Sequence, residues 1–254
     1  AGYQAVMMAP TSILAAQHQQ TLQKLLAGSG QPVALLTGAT PAAQRRELLK
    51  GLQDNTIRLL VGTHAVIEDK VELPRLALTI TDEQHRFGVR QRLRLTRTEQ
   101  ERTLTPHVLV MSATPIPRTL GLILYGDLDM ILIDQLPAGR EPIQTYTART
   151  SDRPRVEALI RRQVAEGRQI YVVCPMIEEQ ETSDLESAVR TYNRLAQEVF
   201  PDLTVGLLHG GLKAQAKDQV MQAFLAGEIA ILVSTTVIEV GVDNPNASLM
   251  LIEN

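Results

Sequence analysis

Two stretches of this chain repeat each other without a gap, and that constrains the fold more than any other feature. Gly38 and Gly210 stand 172 residues apart, and the same step carries Leu35 onto Leu207, Leu36 onto Leu208, Val61 onto Val233 and Thr63 onto Thr235. Between these anchors Leu48, Leu49 and Leu52 fall on Val220, Met221 and Phe224, the apolar positions of a helix. Any strand-turn-helix-strand unit has a similar hydrophobic outline, but matched glycine and threonine at the strand ends point to duplication. The chain is expected to form two similar β/α domains in tandem.

The flanking pattern extends this reading. Apolar, β-branched runs at Tyr3–Ala9, Pro32–Leu36, Ile57–Val61, Leu76–Thr81 and Val108–Met111 alternate with helical spacing, which predicts a parallel sheet. A helix after Pro10-Thr11 should carry Ile13, Leu14, Leu22, Leu25 and Leu26 on one face. Thr40 followed by Pro41 reads as the N-cap and first residue of a second helix. A polar stretch with two prolines and a glycine, Asp134 to Pro142, marks a change of domain, after which strands recur at Ile170–Cys174, Thr204–Leu208, Ile229–Val233 and Ser248–Ile252. The domains are therefore expected at residues 1–133 and 153–254, joined by a linker over 134–152.

Within the first domain, Leu76–Thr81 breaks abruptly into Asp82-Glu83. A buried parallel strand would deliver these carboxylates to its carboxyl end, where open α/β sheets bind ligands. In a nucleotide-hydrolysing site such a pair divides the labour: one holds Mg²⁺ through its water shell and the other orients the attacking water. Alone, the pair reads equally well as a turn cap beside a solvated glutamate.

Composition narrows the classes. Hydrophobic content of 44% over 254 residues is enough for two cores, and aromatic content of 3% makes them aliphatic. The single cysteine, Cys174, allows no intramolecular disulfide and fits a reducing, cytoplasmic setting. No apolar run approaches membrane-spanning length and the first residues lack a signal-peptide layout, so a membrane partner is not expected. A net charge of -3 does not announce a nucleic-acid binder, so any DNA contact must be local. The histidines His18, His64, His85, His107 and His209 lack metal-ligand spacing, which speaks against zinc.

Met8-Ala-Pro-Thr-Ser-Ile-Leu-Ala-Ala-Gln-His18, Gly62-Thr-His64, Asp82-Glu-Gln-His-Arg-Phe-Gly-Val89, Ser112-Ala-Thr-Pro-Ile-Pro-Arg-Thr119 and Ser234-Thr-Thr-Val-Ile-Glu-Val-Gly-Val-Asp243 follow one another in chain order. They resemble the successive motifs of superfamily-two helicases, and in wording the bacterial RecG family of branched-DNA helicases. The resemblance implies two tandem RecA-like lobes that clamp ATP and Mg²⁺ and move on forked or branched DNA, as a monomer, in repair and recombination.

By that resemblance Asp82 serves Mg²⁺ through water, Glu83 activates water, and Gln84 and His85 sense the nucleotide. Ser112, Ala113 and Thr114 relay its state, and Gly241 and Asp243 face it from the second lobe. Pro10, Thr11, Gly62, Thr63, His64, Thr235 and Thr236 line the DNA track. Each has a plainer reading as a turn or bend residue; the ordered set favours function.

Departures from the family pattern are Ser12 in place of an acidic residue, Thr81 in place of an apolar one, Gly211 in place of arginine, and Asn244 in place of an apolar residue. No Gly-x-x-x-x-Gly-Lys-Ser/Thr phosphate loop occurs, and the arginine-bearing motif of the second lobe is absent from these residues. The expectation is a motor segment of a larger protein that does not turn over ATP by itself. Two alternatives stand beside it: a transcription-repair coupling translocase, whose acidic motif more often reads Asp-Glu-Glu-His, and a non-catalytic binding or scaffold module.

Overall fold

The computed structural model describes residues 2–68, 70–83, 87, 105–113, 129–135, 142–174, 181–235 and 244–253. The first sheet contains β1 (Gln4–Met8), β2 (Val33–Leu36), β3 (Leu59–Gly62), β4 (Leu76–Thr81) and β5 (His107–Val110), in the order β2-β3-β1-β4-β5. The second contains β6 (Gln169–Val173), β7 (Val205–Leu208), β8 (Ile231–Ser234) and β9 (Ala247–Ile252), in the order β7-β8-β6-β9. Every pairing among the described residues is parallel. The two-lobed α/β architecture expected from the repeat is the one observed.

Alternation of side chains places helices on both faces of each sheet. In the first lobe Val6 and Met8 pack with Leu48 and Leu52 of α2 (Ala42–Gln53), whereas Met7 and Ala9 pack with Leu14 and Ala15 of α1 (Ser12–Leu25). In the second lobe Ile170 and Val172 face Ile160 of α3 (Arg153–Ala165) and Ala188 of α4 (Glu181–Arg194). Tyr171 faces Met221 and Phe224 of α5 (Ala214–Leu225). Burial on both faces explains why these strands read as continuous apolar runs.

The 172-residue step survives in three dimensions: it carries β2 onto β7, α2 onto α5 and β3 onto β8, bounds included. Register agrees as well, since Val33 pairs with Leu59 and Val205 with Ile231. The equivalence continues beyond the ungapped stretch. Gln4 and Gln169 both open the central strand of their sheet, each just before a register shift, and both are buried. Gln4 Nε2 donates to Leu52 O at 2.7 Å and Ile57 O at 3.2 Å. Gln169 Nε2 donates to the equivalent carbonyls of Phe224 and Ile229.

Two local expectations differ from the structure. Thr40 does not cap α2: its hydroxyl accepts from Thr37 N–H at 2.9 Å, closing the preceding turn, and Pro41 takes the N-cap position without a side-chain bond. Leu25 is 75% exposed rather than on the buried face of α1, because the helix ends there and the buried stripe passes through Leu22 and Leu26.

Candidate nucleotide and DNA site

The order β3-β1-β4-β5 brings the carboxyl ends of four parallel strands to one edge of the first sheet. Pro10-Thr11 follows β1, Thr63-His64 follows β3, Asp82-Glu83 follows β4, and Ser112-Ala113 lies just past β5. Segments separated by up to about 100 residues of sequence thus converge where α/β sheets hold ligands.

Asp82 is held from three directions. Its N–H donates to Met8 O at 2.9 Å, continuing the β1–β4 ladder past the end of the strand. Its Oδ1 accepts from Glu83 N–H at 2.9 Å, and its Oδ2 lies 2.6 Å from His18 Nε2, in the arrangement of a ring N–H donating to a carboxylate. The His18 and Asp82 side chains are 27% and 19% exposed, so the carboxylate is oriented yet reachable. Glu83 has a φ of 48°, a left-handed conformation unusual for a glutamate. Strain of this kind is retained where the surroundings over-determine the backbone, and here it falls on the residue directly after Asp82.

Among the described residues no group of three or more His, Cys, Asp or Glu is placed to hold a metal ion. One oriented carboxylate is nonetheless the right donor for Mg²⁺, which keeps most of its waters and takes its remaining ligands from nucleotide phosphates rather than from a protein cage. Cys174, buried after β6, has its thiol pushed up by burial, so it is not a poised nucleophile.

The expected DNA-track residues divide. Thr11 Oγ1 accepts from Leu14 N–H at 3.3 Å and caps α1, so its hydroxyl already has a structural task. His64 is exposed. Gly62 permits a close crossing that no other residue would allow, because a Cβ there would lie 2.0 Å from Leu36 O. Thr63 and Thr235 occupy equivalent positions, each 5% exposed, with their N–H groups donating to Leu36 O at 3.2 Å and Leu208 O at 3.3 Å. Thr63 Oγ1 is buried with no hydrogen-bond partner among the described residues, so a purely local turn-capping role does not account for it. Gln84, His85, Thr114, Thr236, Gly241 and Asp243 lie outside the described residues.

Two participants were not identified as site residues from the sequence. His18 closes the first of the quoted motifs without a role of its own, yet it contacts Asp82, 64 residues further on. Ser12 donates to Asp218 Oδ2 of α5 at 2.7 Å, and neighbouring Ile13 packs against the Tyr171, Leu208 and Met221 cluster, so the first turn of α1 touches the second lobe. The departure at Ser12 thereby gains a reason: a carboxylate at that point would face Asp218.

The DEAD/DEAH box helicase family matches residues 1–123, and the helicase conserved C-terminal domain matches residues 154–254. The chain is 51% identical over 253 residues to the ATP-dependent DNA helicase RecG of a Synechocystis species, covering 100% of this chain and 30% of that protein. It is 47% identical over 251 residues to the Bacillus subtilis protein of the same name, covering 99% of this chain and 36% of the relative. The Thermotoga maritima relative is 44% identical over 254 residues, with 100% and 32% covered. The solved structure of RecG bound to a three-way DNA junction superposes with a TM-score of 0.79 at 41% identity, covering 100% of this chain and 32% of that one. A Mycobacterium smegmatis Lhr helicase structure, TM-score 0.65 at 20% identity over 99% of this chain and 36% of its own, shares the fold. The chain therefore spans about a third of the length of the curated relatives it matches.

Proposed function

This chain belongs to the RecG family of helicases, and from that premise we propose that it is the two-lobed motor segment of an ATP-driven translocase that remodels forked and branched DNA. The observation that carries the proposal is Asp82, fixed by Met8, Glu83 and His18 at the carboxyl end of β4. An oriented, part-exposed carboxylate followed by a second, strained acidic residue suits nucleotide hydrolysis better than a turn.

Asp82 is the residue that would hold a nucleotide-bound Mg²⁺ through its water shell, and the ion would supply charge neutralisation at the phosphates. Glu83 orients the attacking water. Gln84 and His85 read the nucleotide, Ser112, Ala113 and Thr114 pass its state on, and Gly241 and Asp243 face it from the second lobe. Pro10, Thr11, Gly62, Thr63, His64, Thr235 and Thr236 follow the DNA backbone. Duplicated lobes give two equivalent backbone grips, so opening and closing about ATP becomes movement along a strand. Contacts to phosphate rather than bases suit a motor that must ignore sequence.

The lobes are assigned to residues 1–133 and 153–254 with a linker between, and the motor acts as a monomer in the cytoplasm. No helix among the described residues is long and apolar enough to cross a membrane. The 254 residues contain no Gly-x-x-x-x-Gly-Lys-Ser/Thr loop, so turnover requires phosphate-binding groups beyond this segment. The test uses a full-length helicase carrying this segment, a labelled three-way junction and ATP. Strand rearrangement that requires ATP and is lost in Asp82→Asn is expected; ATP-independent or Asp82-independent rearrangement overturns the proposal.

A further inference from the structure

Helix α1 meets three different parts of the molecule within two turns. Its N-cap is Thr11, beside the strand ends assigned to DNA. Its first residues, Ser12 and Ile13, contact Asp218 and the apolar cluster of the second lobe. Seven residues beyond the cap, about 10 Å along a helix, His18 reaches Asp82 at 2.6 Å. The helix between these points is firmly seated, with Leu14 and Ala15 buried against Met7, Val33 and Val61.

We infer that His18 is the positioning residue for Asp82, and that through it α1 transmits movement of the DNA-side and interlobe contacts to the Mg²⁺ carboxylate. The inference rests on the reading of Asp82 given above. A free carboxylate at a strand end samples several rotamers. Here one oxygen is held by the next backbone N–H, which belongs to the same turn and moves with Asp82. The other is held by a ring on a different element, so among the described residues His18 is the contact that fixes the Asp82 carboxylate relative to the rest of the lobe. One donor on Oδ2 leaves lone pairs on both oxygens for the water shell. Partners behind a ligating carboxylate set its orientation, and losing them weakens metal affinity by roughly tenfold or more.

The second sheet provides an internal contrast. Glu253 N–H donates to Val173 O at 2.9 Å, just as Asp82 N–H donates to Met8 O, but its carboxylate is taken by Arg153 and Arg194. Two guanidinium groups consume that carboxylate, whereas a single imidazole orients Asp82 without consuming it.

The experiment measures binding of a fluorescent non-hydrolysable ATP analogue to the full-length helicase as Mg²⁺ is titrated, with and without forked DNA. His18→Ala is expected to raise the Mg²⁺ needed for half-maximal binding by about tenfold and to abolish the effect of DNA on that requirement. His18→Gln, whose amide N–H can reach the same oxygen, should restore both. DNA affinity without nucleotide should be unchanged in each, showing that the lobes remain folded. An unchanged Mg²⁺ requirement in His18→Ala, or a His18→Gln variant as impaired as His18→Ala, overturns the inference. Asp82→Asn separates the two levels: if it leaves the Mg²⁺ requirement unaltered, the carboxylate assignment falls and this inference with it. An Asp82 effect without a His18 effect removes the inference alone.

Discussion

Asp82 and Glu253 stand at the same position of two duplicated sheets, each the first residue past the strand that pairs with β1 or β6, and each with its N–H on the carbonyl that ends that central strand. Their surroundings have diverged. Asp82 is oriented by His18 in an accessible edge, whereas Glu253 binds Arg153 through both oxygens, at 3.1 and 2.7 Å, and lies 3.6 Å from Arg194. Glu253 thus closes the start of α3 onto the end of β9.

Glu253→Gln should therefore lower the stability of the second lobe by about 1–2 kcal/mol, since it leaves the Arg153 guanidinium short of its charged acceptor while Arg194 keeps Glu157 at 3.0 Å. It should not alter Mg²⁺-dependent nucleotide binding in the full-length helicase. Chemical denaturation followed by a probe in the second lobe, alongside analogue binding, checks both. Loss of nucleotide binding with unaltered stability would show that Glu253 is a second ligand site after all.

The buried glutamines make a paired prediction. Gln4→Leu strips donors from Leu52 O and Ile57 O, and Gln169→Leu strips them from Phe224 O and Ile229 O. Each change should cost its own lobe about 1–3 kcal/mol in hydrogen bonds lost to these carbonyls, of which Leu52 O keeps Asn55 N–H and Phe224 O keeps Gly227 N–H. Amide hydrogen exchange should rise in β1, β3 and α2 for the first variant and in β6, β8 and α5 for the second. Faster exchange in the opposite lobe, or none, contradicts the equivalence.

Thr63→Val replaces a buried hydroxyl that has no partner among the described residues with a methyl group of similar size. Burying an unpaired hydroxyl is unfavourable, so thermal stability should hold or rise. If that hydroxyl waits for a DNA phosphate, affinity for forks of unrelated sequence should drop uniformly, severalfold, with nucleotide binding unchanged. Fork titrations and melting curves decide the matter; unchanged DNA affinity removes Thr63 from the track.

Much of this was legible in the residues because the relevant signals were local. The step from Val33–Gly62 to Val205–Ser234 held exactly because both copies have equal length there. It could not reveal that Gln4 matches Gln169, since 36 residues separate Gln169 from Val205 against 29 between Gln4 and Val33. The longer second copy includes the π-helical turn Leu195–Val199, which breaks an ungapped comparison. Asp82 was visible as the end of an apolar run. His18 was not, because its contact depends on β1 and β4 being neighbours, and that adjacency follows from sheet order rather than spacing. Thr40 misled for a physical reason: a threonine before a proline suits an N-cap, but the nearer N–H of Thr37 claimed its hydroxyl.

The division of labour between Asp82 and Glu83 is the centre of the account, and one comparison in the full-length helicase tests it most directly. Glu83→Gln preserves shape and hydrogen bonding but removes the charge proposed to orient water, whereas Asp82→Asn should weaken the proposed hold on the Mg²⁺ water shell. Side-by-side measurement of DNA-stimulated phosphate release and Mg²⁺-dependent analogue binding should find hydrolysis reduced by roughly 100-fold or more in Glu83→Gln with binding retained. Asp82→Asn should lose both. Equal loss of binding in the two variants, or full hydrolysis in Glu83→Gln, would contradict it.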